Sequence, residues 1–149
     1  MWRCSRGPSF DLVLGHAVLH HIPHLDVAFA ELERVLRPGG RFVFAGKWLD
    51  DAIEELRAAA PENVNQTGWL SDEDLHAAYR RAAVYVQASR HEGFGLAVAE
   101  AMLAGCVPVV MNVTAMPEVV GDAGVLIESQ EPEAVAEGIR QALELGPDA

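Results

Sequence analysis

Gly93 and Gly95 stand just before the run Leu96, Ala97, Val98, Ala99, Glu100, Ala101, Met102, Leu103 and Ala104, which has helical composition and is apolar except for one carboxylate. A β-type run, Val84, Tyr85 and Val86, leads into these glycines, and a second one, residues 107–111, follows the helix. Glycines between a strand and a helix N-terminus let a ligand come close to backbone N–H groups, and the helix dipole favours an anion there. Phosphate is the chemistry that this arrangement suits. Glu100 would be costly to bury unpaired among so many apolar neighbours, so it must face a cleft or a partner.

The elements that position these residues can be read from the rest of the chain. Residues 10–15 form a short apolar run, and residues 25–36 carry Leu25, Phe29, Leu32, Val35 and Leu36 at helical spacing before a Pro-Gly-Gly stop. Residues 41–45 read as a strand, 50–60 as a helix, 63–68 as a strand and 72–82 as a helix, with Ser71 as its cap and Asp74 three residues on. Strands at 84–88, 107–111 and 124–127 follow, with a helix over 95–104 and a closing helix over 131–145. Apolar rather than alternating strands, separated by helices, predict an α/β fold: a doubly wound, Rossmann-like parallel sheet of about six strands with helices on both faces. In the strand order 3-2-1-4-5-6 the switch point lies between the first and fourth strands, where ligands bind outside the carboxyl ends.

At 149 residues, 50% of them hydrophobic, the chain fits one compact domain with a real core. We expect residues 1–9 to be a frayed or disordered end and residues 10–149 to be a single domain. A net charge of -11 argues against nucleic acid or an anionic membrane surface as a partner, while backbone amides can still hold a local anion. The charge is uneven: residues 1–46 carry five Arg against four acids, and residues 47–149 carry six basic residues against eighteen acids. Two cysteines, Cys4 and Cys106, make no disulfide framework, and no apolar run approaches the roughly 20 residues that span a membrane. A cytoplasmic location is the expectation. His20 and His24 are separated by Pro23 and joined by no Cys or acid cluster, so they read as turn or surface residues and no metal site is expected. Trp48 and Trp69 read as core or rim aromatics, not as sugar platforms.

From about Gly46 onward the chain resembles the C-terminal, donor-binding domain of family 4 GT-B glycosyltransferases. The residues that carry the resemblance are Asn63-Val64, Gly68, Ser71 to Leu75, Tyr79, Ser89, Glu92-Gly93-Phe94-Gly95-Leu96, Glu100-Ala101-Met102, Gly105, Pro108-Val109-Val110 and Pro117 to Gly124. Glu92 and Glu100 stand in the E-x7-E pattern of that family. The resemblance implies that Glu100 accepts hydrogen bonds from the two ribose hydroxyls of a nucleotide sugar. It implies that Glu92 lies by the donor sugar as the catalytic carboxylate, and that Ser89, Gly93, Phe94, Gly95 and Leu96 line the diphosphate and sugar. It also implies glycosyl transfer from a nucleotide-diphosphate sugar, with retention, no cofactor and no bound metal. Leaving-group charge would be stabilised electrostatically.

Residues 10–46 resemble part of a class I S-adenosylmethionine-dependent methyltransferase, through Phe10-Asp11-Leu12-Val13, Leu19-His20-His21-Ile22, Glu31-Leu32 and Arg34 to Phe42. The glycine-rich loop and ribose-binding acid of that family have no counterpart here, so S-adenosylmethionine is not expected as a cofactor. The segment reads as a βαβ unit able to begin the same sheet as residues 47–149. In the glycosyltransferase family the loop after the first strand carries an Arg and, five residues on, a Lys toward the diphosphate. His16 and His21 occupy those two positions, and a mostly neutral imidazole holds a diphosphate less tightly. The resulting expectation is a nucleotide-sugar-binding domain, incomplete as a catalyst without an N-terminal acceptor domain and prone to self-association through its cleft side. The alternatives are a methyltransferase remnant, or a chimeric or truncated Rossmann-like domain without activity.

Overall fold

The computed structural model describes residues 12–16, 25–36, 40–45, 62, 64–68, 70–88 and 95–145. In chain order they form β1 (Leu12–His16), α1 (Leu25–Val35), β2 (Arg41–Ala45), β3 (Val64–Gly68), α2 (Asp72–Arg81), β4 (Val84–Gln87), α3 (Leu96–Leu103), β5 (Val107–Met111), α4 (Met116–Val120), β6 (Val125–Ile127) and α5 (Pro132–Leu145). The strands make one sheet in the order β3-β2-β1-β4-β5-β6. Every pairing is parallel. The α/β, Rossmann-like class is therefore as expected, and β1 does lie beside β4, with Gly15 opposite Val86. The helix expected over residues 50–60 lies outside the described residues, as do Trp48 and Trp69.

Strands of this kind must bury both faces, and β4 and β5 are buried at every position. Their alternate side chains feed two cores. Val84, Val86, Val107, Val109 and Met111 join Phe29 and Leu32 of α1 and Val135, Ile139 and Ala142 of α5 on one face. Tyr85 and Val110 join Tyr79 of α2, Val98 and Ala101 of α3, and Met116 and Val120 of α4 on the other. Burying one such aliphatic side chain contributes about 1.5–3 kcal/mol, so the sheet is stabilised mainly through its two central strands.

Helix boundaries follow local chemistry. The α1 stripe of Ala28, Phe29, Leu32 and Val35 is buried while Val27, Ala30, Glu33 and Arg34 face solvent. At the start of α2, Ser71 Oγ accepts a 3.2 Å hydrogen bond from the Asp74 amide, as the capping pattern predicts. Helix α5 begins with Pro132, where a missing N–H costs nothing. A Cβ on Gly138 of α5 would lie 2.8 Å from methyls of Ile127 and Val109, so the helix rests on the sheet at a distance only glycine permits. The short helix α4 was not anticipated: five residues are too few to show a hydrophobic period.

Candidate functional site

The carboxyl ends of β1 and β4 open at the same edge of the sheet, because the strands are parallel and in register through Gly15 and Val86. This is the switch point in strand order, the usual ligand crevice of such sheets. Helix α3 starts there. Gly95 stands at its N-cap with φ 79° and ψ 41°, a left-handed conformation, and no side chain caps the first turn. The opening amides of a helix have no acceptor within the helix, so they can meet an anion. Leu96, the first helical residue, is 63% exposed.

The approach to Gly95 is fixed from a second direction. A Cβ on Gly95 would run into the Cε and Sδ of buried Met116, the first residue of α4. Just before it, Thr114 has φ 50°, the one non-glycine residue in the left-handed region among the described residues. A β-branched residue held there stores strain of about 1–3 kcal/mol, and strain of that kind gathers around ligand clamps. On the other side, Gln130 Nε2 donates a 2.6 Å hydrogen bond to the carbonyl of Ala88. It ties the segment between β6 and α5 to the chain at the end of β4. Neither Met116 nor Gln130 was expected in the site, since their roles arise from contacts across 21 and 42 residues.

Glu100 lies on α3 a little over one turn beyond Gly95, and its side chain is 38% exposed. It does face a partner, as a lone acid in an apolar helix must: His76 Nε2 of α2 stands 3.7 Å from Glu100 Oε2. Beneath them Tyr79 is 1% exposed, and its hydroxyl makes no hydrogen bond among the described residues. Its ring meets that of Tyr85 edge-on, with centroids 5.5 Å apart, while the Tyr85 hydroxyl donates to Gln87 Oε1 at 2.7 Å. Burial, then the negative charge of Glu100, push the Tyr79 hydroxyl up to about 12, with Cys106 adding to the effect and only the Tyr85 hydroxyl opposing it.

That shift has a testable consequence. A tyrosine whose folded pKa is raised favours the fold fully below its unfolded value of about 10, and this is lost as pH rises toward the folded value of about 12. Tyr79→Phe, which carries no ionisable hydroxyl, should therefore move the alkaline unfolding transition to higher pH. At neutral pH its stability should stay within about 1 kcal/mol of the parent or rise, because an unpaired buried hydroxyl is removed. Coincident alkaline transitions for the two proteins would contradict the assignment.

Of the residues expected in the site, Gly95, Leu96 and Glu100 are brought together on α3, and His16 ends β1 at the same edge. Ser89, Glu92, Gly93, Phe94 and His21 lie outside the described residues. No group of three or more His, Cys, Asp or Glu side chains among the described residues could hold a metal ion.

Residues 19–149 match the family described as glycosyl transferases group 1. The chain belongs to that family. As a glycosyltransferase group 1 domain it is 32% identical over 146 residues to a GDP-mannose:cellobiosyl-diphosphopolyprenol alpha-mannosyltransferase of Komagataeibacter xylinus, covering 93% of this chain and 36% of that protein. It is 39% identical over 99 residues to O-antigen chain mannosyltransferase B of Escherichia coli, covering 65% and 26%. The domain thus spans about a quarter to a third of the length of these relatives.

Among solved structures it superposes on Anabaena HepE in complex with UDP and glucose, with a TM-score of 0.72 at 22% identity over 90% of this chain and 39% of that one. It also superposes on the pneumococcal O-GlcNAc transferase GtfA in complex with UDP and GlcNAc, with a TM-score of 0.71 at 25% identity over 94% and 30%. The first of these bears on the fold alone. The family match begins at residue 19 and so runs through most of residues 10–46. It gives the methyltransferase resemblance of that segment, and the idea of a chimera, no support. No helix among the described residues is long and apolar enough to cross a membrane.

Proposed function

We propose that this glycosyltransferase group 1 domain binds the nucleotide-diphosphate sugar donor at the carboxyl edge of its sheet, in the crevice where β1 and β4 end. The observation that carries the reading is the placing of Glu100 a little over one turn into a helix whose N-terminus opens at a left-handed glycine on that edge. The amides at Gly95 and Leu96 take the diphosphate, and Glu100, with two acceptor oxygens, takes the ribose diol. Ser89, Glu92, Gly93 and Phe94 complete the sugar side, with Glu92 as the catalytic carboxylate, and His16 and His21 approach the diphosphate from the facing loop. No cofactor takes part, since the donor carries the leaving group itself.

Curated relatives whose names specify mannosyl transfer, one of them naming GDP-mannose, make GDP-mannose the first donor to test. Residues 10–149 act here as one Rossmann-like domain. Retaining transfer to an acceptor calls for an N-terminal GT-B domain that holds the acceptor, consistent with the greater length of the relatives. Calorimetric titration with GDP-mannose, UDP-glucose and S-adenosylmethionine tests the proposal. Saturable heat with GDP-mannose and none with S-adenosylmethionine is the expected result. Binding of neither nucleotide sugar would overturn it.

A further inference from the structure

We infer that His76 is a positioning residue for the donor site and makes donor affinity depend on pH. The inference rests on Glu100 as the ribose carboxylate and deepens that reading. Glu100 Oε2 lies 3.7 Å from His76 Nε2, and the two side chains are 38% and 50% exposed, so the pair is open to the same solvent that a ligand would displace. On its own helix Glu100 is flanked by Leu96 and Ala97 one turn before and by Leu103 and Ala104 one turn after, none of which has a side chain that can donate a hydrogen bond to the carboxylate. Without a partner its rotamers would have to be ordered on binding, at a cost in entropy. His76 provides the brace from another helix. A carboxylate offers about four acceptor positions, so an imidazolium on one oxygen leaves enough for two ribose hydroxyls.

The direction follows from charge. Protonated His76 forms an ion pair that fixes Glu100 and adds a cation near a site for a diphosphate. Both effects favour the anionic donor. Among the described residues, Asp72, Glu73 and Arg80 stand about one turn from His76 on its own helix, and Glu100 faces it from α3. The Tyr79 hydroxyl packed against His76, raised to about 12, stays neutral at and below neutral pH. Affinity therefore rises as pH falls, the direction in which an imidazole gains charge. An exposed pair of this kind is worth a roughly two- to fivefold change in affinity.

The test is the pH profile of GDP-mannose binding between about pH 8 and pH 5.5, a probe whose diphosphate diester does not titrate there, for the parent chain, His76→Gln, Glu100→Gln and the double variant. The chain has six histidines, so the difference between the parent and His76→Gln profiles is what counts. The expected result is a two- to fivefold flatter profile in His76→Gln, with no further flattening in the double variant, and the same folded circular dichroism in all four. A merely structural histidine would lower affinity equally at all pH values. Parent and His76→Gln profiles of equal slope, or effects of the two substitutions that simply add, would overturn the inference while leaving the donor reading intact. A parent chain that binds no nucleotide sugar at any pH would overturn the donor reading first.

Discussion

Gly95→Ala should cost about 2–4 kcal/mol of stability and remove most donor binding, from a change of one methyl group. Two separate penalties combine. An alanine in the left-handed region costs about 1–2 kcal/mol relative to glycine, and Gly95 has φ 79°. The new Cβ would also meet the Cε and Sδ of Met116, which is 1% exposed and has little room to retreat. Overpacking of that kind typically costs about 1–3 kcal/mol. Relief of the clash displaces the Met116 thioether from its buried place beside the N-terminus of α3. Equilibrium denaturation and GDP-mannose titration read the two effects. Met116→Ala on its own opens a cavity and should destabilise, but combined with Gly95→Ala it should cost clearly less than the two separately, because the clash disappears while the backbone strain remains. Strict additivity would show that Met116 is not what makes glycine necessary.

Glu100→Ala should weaken donor binding by about 1–3 kcal/mol, roughly five- to 150-fold, because in the proposed donor pose two ribose hydroxyls lose their acceptor. The fold should tolerate the change, since Glu100 is half-buried and His76, its polar partner among the described residues, is half-exposed. A probe that lacks the ribose diol separates contact with the sugar from general electrostatics. Dideoxy-GDP should bind the parent and Glu100→Ala with nearly equal affinity, whereas GDP should distinguish them. An unchanged affinity for GDP-mannose in Glu100→Ala would remove Glu100 from the ribose assignment even if the domain binds its donor through other residues.

Much of this arrangement could be read from the chain. The central strands announced themselves because burial on both faces requires unbroken apolar runs, and Val84 to Val86 and Val107 to Met111 meet that requirement. Helix α3 was legible from its glycine start, and Glu100 stood out as a single acid among apolar neighbours. What the chain concealed was tertiary. The His76 partner of Glu100 comes from another helix 24 residues away, and no local pattern foretells it. Helix α4 is only five residues long, so no hydrophobic period marked Met116, which packs against Gly95. Gln130 gave no signal because an amide that caps a distant carbonyl has the same local sequence as one facing water. The methyltransferase resemblance of residues 10–46 has a simple physical source as well. A strand, a helix with an apolar stripe, a Pro-Gly-Gly sequence and a further strand make a βαβ opening that unrelated Rossmann-like sheets share, and family membership lies in the residues around it.

The strand order bears on how the chain reaches its fold. β1 comes first in chain order among the strands of this sheet, yet it occupies an interior place, with β2 on one side and β4 on the other. The pair Leu14 and Tyr85 joins positions 71 residues apart, so the two halves of the sheet meet only after a large loop has closed. That closure loses chain entropy before any contact repays it, which makes parallel sheets of this order slow to nucleate. Until β1 and β4 meet, β4 has an unpaired edge of apolar residues, and a partly folded chain would present that edge to its neighbours. Aggregation during refolding, growing with protein concentration and relieved by slow dilution, is the kinetic signature of a sheet whose central seam is its longest-range contact.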